Sequence, residues 1–298
     1  MIRVVRRAMA CEFEIVLDGD DKQTLVDTAN FALDEVQRLG VELNCFNPAS
    51  EVSLVNEAAA HRPVVVSPEL FEILSTAQSI WRETDGAFDV TAGGLIDLWR
   101  EAEKTQIAPS AQAIEEALAK FSMGWVQLNE QTHEVRFNAP TMKINLGAIG
   151  KGYAVRRAVD ILKEYGISFA LVSGGRSTIQ SIGRWSAGIR HPAKLDERVC
   201  EIELTDQAMS TSGGPAQRDP DVDECFEHIV DPKTGAQAYG TAASVSVITD
   251  DAMRSDALST AIYLRGPELA RRLPNIRAVF VDSDADINEV ITYGEKNE

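Results

Sequence analysis

Basic residues are scarce in this sequence: 29 Lys and Arg stand against 46 Asp and Glu, giving a formal charge of −17 at pH 7. No Lys/Arg-rich block offsets that balance. The footprint of a polyanion binder is missing, and neither a nucleic-acid nor an anionic-membrane partner is expected. Cysteine is sparse as well. Cys11, Cys45, Cys200 and Cys225 lie far apart without a Cys-x-x-Cys pair, which argues against a zinc site or a dense disulfide framework and leaves buried free thiols as the expectation. No run approaches the ~20 apolar residues of a membrane span. The start, Met1 to Cys11, has basic residues and a cysteine after small ones, as a lipoprotein leader does. It lacks the apolar segment of roughly 7–15 residues that a leader needs. The expectation is a soluble chain, cytoplasmic as it stands, with export left open. Fixed-period repeats and low-complexity tracts are absent too, which removes solenoids and long linkers.

What is present is ample core material: 298 residues, 44% of them hydrophobic. Phe13, Ile15 and Leu17 alternate with Glu12 and Glu14 as in a half-buried strand, and Asp18-Gly19-Asp20-Asp21 makes a turn. Leu25, Ala29, Ala32, Leu33, Val36 and Leu39 follow helical spacing, with Gly40 as the expected stop. A second helix starts at Ser67 as cap with Pro68 behind it, and Gly86 ends it or opens the next loop. Short strand patterns at Trp125–Leu128 and Glu134–Phe137 precede a helix from about Gly150 to Tyr165, closed by Gly166. Phe169–Ser173 reads as a buried strand, followed by β-rich runs at Ile179–Ile182, Cys200–Leu204 and Ala243–Ile248. A helix at Asp251–Leu264, a strand at Ala278–Val281 and a polar tail finish the chain. Hairpin-like strand runs with helices between them predict an α+β fold of mixed, largely antiparallel sheets with packed helices.

Four stretches carry residues suited to chemistry. In Asn145-Leu146-Gly147-Ala148-Ile149-Gly150-Lys151-Gly152 the glycines precede a helix, where freed amides and the helix N-terminus suit an anion. It is not a Walker A loop, because Asn145 replaces the first glycine and Gly152 the hydroxyl residue after Lys151. A tight-packing turn with a surface lysine explains the same letters. Asp256 and Thr260 lie four apart on one helix, so their oxygens converge in a donor pair suited to Mg²⁺. Such pairs are also common on solvated helices. His228 stands just before Asp231-Pro232-Lys233-Thr234-Gly235, a turn by its chemistry, and a rigid corner there could hold a general base or phosphate donor. A structural histidine is the simpler account. In Thr84–Gly94, small residues leave room for a ligand, and Asp85 and Asp89 could bond a ribose or adenine; a capped loop between helices is the alternative. Ser173-Gly174-Gly175 and Ser210-Thr211-Ser212-Gly213-Gly214 read as further small-residue loops. Together these loops and the hard-oxygen pair point to a phosphate-bearing ligand whose charge is met locally.

The ordered set resembles the FAD:protein FMN transferase family, the ApbE-like flavin transferases. The matching segments are Met9–Phe13, Phe46–Asn56, Asp85–Thr91 with Leu95 and Leu98-Trp99, Asn145–Ala154, Ser210–Gly213, His228–Gly235 and Ser255–Ala261. The resemblance implies an ApbE-like fold and a Mg²⁺-dependent enzyme that cleaves the pyrophosphate of FAD. Such an enzyme moves FMN onto a Ser or Thr hydroxyl of a target flavoprotein and releases AMP. It implies a metal held by Asp256, Thr260 and the Gly150 carbonyl, catalytic roles for Asp256 and His228, and Phe46 packed on the flavin. Asp85, Asp89, Thr91, Lys151, Gly174, Gly175 and Ser212 complete the implied substrate contacts.

Three positions depart from the family's usual pattern. Asn145 stands where Asp is usual, Arg176 follows Gly174-Gly175 where Asp is usual, and Gly214-Pro215 stands where an aromatic often follows. Two alternatives to transfer go with these changes: FAD pyrophosphatase activity yielding FMN and AMP, or a non-catalytic flavin-binding paralogue. Motifs scattered from Phe46 to Thr260 must converge, so residues 1–298 are expected to form one integrated catalytic unit with a surface insertion near 101–113.

Overall fold

The computed structural model describes residues 1–192, 194, 196–214, 229–238 and 242–293. It opens with strands β1 (Ile2–Ala8) and β2 (Cys11–Leu17), helices α1 (Lys22–Glu42) and α2 (Glu51–Ala58), strand β3 (Val64–Val65) and helix α3 (Pro68–Glu83). Helices α4 (Gly93–Thr105) and α5 (Ala111–Leu118) and strands β4 (Val126–Asn129) and β5 (Glu134–Phe137) lead to α6 (Gly150–Glu164). Strands β6 (Ala170–Gly174), β7 (Thr178–Ile182), β8 (Arg184–Arg190), β9 (Arg198–Thr205), β10 (Ala208–Gly213) and β11 (Ser244–Thr249) follow. Helices α7 (Ala252–Arg265) and α8 (Pro267–Ala270) and strands β12 (Ile276–Val281) and β13 (Ile287–Tyr293) complete the order.

Among the described residues, an eight-stranded antiparallel sheet runs β1-β2-β6-β7-β10-β11-β12-β13. A three-stranded sheet, β3-β5-β4, and the β8-β9 hairpin stand beside it. The period-two alternation of the large sheet divides its side chains. Ala208, Val247 and Ala278 join the main core with α1, α6 and α7, whereas Met209, Ile248 and Val279 form a smaller core with Ile189 and Leu204 of the hairpin. Helices therefore cover one face and the hairpin the other, an α+β arrangement as the pattern of runs predicts. No helix of the described residues is long and apolar enough to cross a membrane.

The structure corrects several local expectations. Ile2–Ala8, for which the sequence predicts no element, forms the edge strand β1. Arg3 pairs with Glu14 of β2, and Arg6 reaches Asp34 and, at 2.7 Å, Asn30 of α1, so its basic residues match acids on neighbouring elements. Gly40 does not stop α1, which continues to Glu42. A Cβ there would lie 3.3 Å from Met9 Cγ, so the glycine makes room for the β1–β2 turn. Ser210–Gly213 is not a loop but most of β10, and the polar tail contains β13. Helices α2 and α4 were hidden by short length and by Gly93-Gly94 at the start of α4. Gly93 is needed because a Cβ would come within 2.7 Å of the Lys143 carbonyl oxygen. The stretch near 101–113 comprises the end of α4, a short loop and the start of α5, with Ala102 buried. The Ser67 cap is present: its hydroxyl accepts from the Leu70 amide at 3.2 Å, with Pro68 in the first turn.

Candidate functional site

Helices α6 and α7 approach closely at Gly152. A Cβ on Gly152 would lie 2.3 Å from the Ala252 carbonyl oxygen and 2.7 Å from Asp256 Cβ, so glycine alone admits this approach. The contact sets the first turn of α6 against Asp256, which is 5% exposed. Gly152 donates its amide to Asp256 Oδ2 at 3.0 Å, and the Thr178 hydroxyl donates to Oδ1 at 3.1 Å. Lys151 Nζ stands 3.7 Å from the same Oδ1 but donates instead to Ser177 Oγ at 2.6 Å. Thr260 lies one turn further along α7, where Ser212 Oγ is 3.4 Å from its hydroxyl and 2.8 Å from Ser259 Oγ. Gly150 opens α6, whose preceding residue Ile149 supplies no side-chain cap.

This cluster brings together Gly150 and Lys151 of α6, Ser212 of β10, and Asp256 and Thr260 of α7, three separate elements. Gly174 and Gly175 lie at its edge, with packing needs of their own. A Cβ on Gly174 would be 3.0 Å from both Phe13 and Val155, and Gly175 has φ +64 and donates its amide to the Glu12 carbonyl at 2.8 Å. Cys11 borders the same turn, its Sγ 3.3 Å from where a Gly175 Cβ would stand. Burial pushes the Cys11 thiol up, with Lys151 opposing and Asp256 adding to the rise. Among the described residues, no group of three or more His, Cys, Asp or Glu side chains is arranged to hold a metal. The oxygens of Asp256, Thr260 and the Gly150 carbonyl are hard donors of the kind Mg²⁺ takes, and Asp256 keeps lone pairs beyond those its neutral partners use.

A separate cleft of about 370 Å³ is lined by Cys45, Phe46, Asn56, Asp97, Lys143 and Asn145, among others. Phe46 is 54% exposed, and the Arg100 guanidinium lies over its ring at 4.1 Å from the centroid. The cleft wall is braced by polar contacts. Asn56 bonds both the carbonyl (3.0 Å) and the amide (2.6 Å) of Ile144, and Lys143 pairs with Asp97 at 2.7 Å. Asn145 Oδ1 accepts from the Gly147 amide at 2.9 Å, shaping the loop that leads from this cleft to the start of α6. One loop thus joins Phe46's cleft to the Asp256 cluster.

The remaining sequence candidates are engaged elsewhere. Asp85, at φ 50, pairs with Arg272 at 2.9 Å on the surface. Asp89 accepts from the Thr91 amide (2.8 Å), the Thr91 hydroxyl and the Met123 amide (3.0 Å). Burial pushes its pKa up against those bonds. These contacts clamp the loop after α3 internally. Thr91 also borders a second cleft of about 380 Å³ that shares Lys143 with the first.

His228 lies outside the described residues, but the corner after it is well anchored. Arg265 of α7 grips Asp231 through two bonds of 2.6 and 2.8 Å. Trp99 Nε1 donates to the Gly235 carbonyl at 2.8 Å, and a Gly235 Cβ would meet Ile114 at 2.3 Å. Burial alone would raise Asp231, yet the Arg265 guanidinium and the turn amides hold it below the usual carboxylate range. A folded-state pKa lower than the unfolded one stabilises above the unfolded value of about 3.9 and is lost as pH falls through the folded value. Arg265→Met should therefore cost roughly 1–2 kcal/mol at neutral pH, with the gap to the parent closing below about pH 4. Urea melts of both proteins at pH 7 and pH 3.5 measure this.

Sequence reasoning missed Ser177, Thr178 and Arg100. Only alternation within a strand whose register is known could have directed Thr178 at Asp256, and Arg100 meets Phe46 only through tertiary packing.

A family model described as the ApbE family matches residues 9–280. An FAD:protein FMN transferase of Klebsiella pneumoniae (strain 342) is 30% identical over 243 residues, covering 80% of this chain and 77% of that protein. One from Treponema pallidum (strain Nichols) is 28% identical over 280 residues, covering 85% and 77%. Among solved structures, the ApbE protein of Thermotoga maritima superposes with a TM-score of 0.83 at 27% identity, covering 99% of this chain and 97% of that one. The flavin transferase ApbE from Vibrio cholerae has the same fold, at TM-score 0.81 and 23% identity, covering 98% and 96%.

Proposed function

Since the chain belongs to the ApbE family, we propose that it transfers the FMN moiety of FAD to a Ser or Thr hydroxyl of an acceptor flavoprotein, releasing AMP with Mg²⁺ as the metal. The observation that carries this reading is Asp256: a buried carboxylate one turn from the Thr260 hydroxyl, set against the first turn of α6 with Lys151 beside it. Held by Asp256, Thr260 and the Gly150 carbonyl, Mg²⁺ would neutralise charge on the pyrophosphate. Lys151 brings a point charge to the same region for a phosphate oxygen. Phe46 offers an exposed aromatic face for the isoalloxazine ring, within a cleft braced by Asn56 and Asn145.

In the transfer step the acceptor oxygen bonds to the FMN phosphorus as the bond from that phosphorus to the AMP oxygen breaks. AMP leaves with the electron pair, and the hydroxyl proton passes to His228, the proposed base. Residues 1–298 act as one unit in this scheme, because the loop 145–149 ties the ring cleft to the metal-bearing helices.

The test incubates the purified chain with FAD, Mg²⁺ and a Thr-containing acceptor flavoprotein. One AMP released per FMN-labelled acceptor is expected. Free FMN with unlabelled acceptor would replace transfer by pyrophosphatase activity, and FAD bound without turnover would mark a non-catalytic binder.

A further inference from the structure

We propose that Ser177 is a positioning residue that keeps Lys151 off Asp256, leaving the carboxylate open to a divalent cation and the ammonium open to a phosphate oxygen. The inference rests on the reading of Asp256 as a metal ligand. Its basis is an ion pair held longer than a hydrogen bond. Lys151 Nζ lies 3.7 Å from Asp256 Oδ1, beyond hydrogen-bond length, and spends its bond on Ser177 Oγ at 2.6 Å. A half-buried ammonium on a flexible stem next to a buried carboxylate would otherwise close onto it, since opposite charges attract strongly where water is largely excluded.

The carboxylate does not need the lysine to be satisfied. Neutral donors, the Gly152 amide and the Thr178 hydroxyl, already occupy one site on each oxygen. They fix the orientation of the group, while its ion pair with Lys151 stays at 3.7 Å without a hydrogen bond. Ser177 is itself fixed: its carbonyl accepts from the Thr211 amide at 2.8 Å, and it follows the left-handed Gly175 in the β6–β7 turn. The two consecutive hydroxyls thus divide the work, Thr178 orienting Asp256 and Ser177 restraining Lys151. With the restraint removed, ammonium and metal compete for one carboxylate oxygen.

The probe is Mn²⁺ alone, titrated into the full-length protein after chelator treatment and followed by the spin-resonance signal of the free ion. Ser177→Ala should raise the Mn²⁺ Kd roughly three- to tenfold, the scale of one partly screened charge pair. Ser177→Thr, which keeps the hydroxyl, should bind like the parent. In a Lys151→Met background the Ser177→Ala change should have no effect on Kd, because no ammonium is left to restrain. Thermal melts within a few degrees of the parent establish that each variant is folded. An unchanged Kd in Ser177→Ala, or a weakening that persists without Lys151, would overturn the inference. Asp256→Asn separates the two levels: parental Mn²⁺ binding in that variant removes the metal reading itself, whereas lost binding there with an unaffected Ser177→Ala removes only the role of Ser177.

Discussion

Asp256→Ala is expected to reduce FMN transfer to an acceptor by more than about 10²-fold, the scale of losing a metal that neutralises a reacting phosphate. The same change strands the Gly152 amide and the Thr178 hydroxyl, both of which donate to this carboxylate. That costs stability by about 1–3 kcal/mol, so the alanine variant mixes two effects. Asp256→Asn separates them. Its amide oxygen can still accept one of those bonds while the charge is gone, so it should melt closer to the parent and still fail to transfer. Transfer rates and melting temperatures on the parent and both variants decide the matter. A parental rate in the asparagine variant would remove Asp256 from the mechanism.

Gly152→Ala should be strongly damaging. The added methyl would sit 2.3 Å from a backbone oxygen and 2.7 Å from the Met253 Cα, atoms that cannot swing aside as a side chain can. Separating α6 from α7 to admit it disturbs a crossing at the centre of the main core. Overpacking of this kind costs about 3 kcal/mol or more, and a drop of about 5–10 °C in melting temperature is expected. Transfer should fall further than stability alone explains, because Asp256 loses its amide partner. Gly94→Ala provides the contrast: nothing lies within 4 Å of the position its Cβ would take, and a near-parental melt is expected. Equal melts for the two variants would show that α6 and α7 tolerate separation.

Much of this was legible in the letters. Ser67-Pro68 and the helical placement of Asp256 and Thr260 carry local rules that tertiary structure did not override, since cap and helix periodicity depend on neighbours a few residues away. The glycine loop before α6 was recognisable, but the reason for Gly152 was not, because it answers to Ala252, a hundred residues on. Gly40 misled for the same reason: read locally it is a stop, while in the fold it makes room for Met9. Ser210–Gly213 looked like a loop because small hydroxyl residues usually favour turns. As β10 it packs hydroxyl against hydroxyl on α7, Ser210 with Ser255 and Ser212 with Ser259, each at 2.8 Å. Asp85 and Asp89 share a motif in sequence yet face different partners, Arg272 and the Thr91 and Met123 amides.

The loop from Asn145 to Gly150 also acts as a ruler. Five residues of fully extended chain span at most about 18 Å, and this segment is folded into a turn, so the Phe46 cleft at one end and the oxygen cluster at the other lie within that limit. A molecule that fills both must match that length. On the proposed reading a mononucleotide can occupy one end only, and selection for a dinucleotide comes from span rather than from any single contact. Lengthening this tether would relax that upper limit, and on the proposed reading a dinucleotide spanning both ends should bind more weakly.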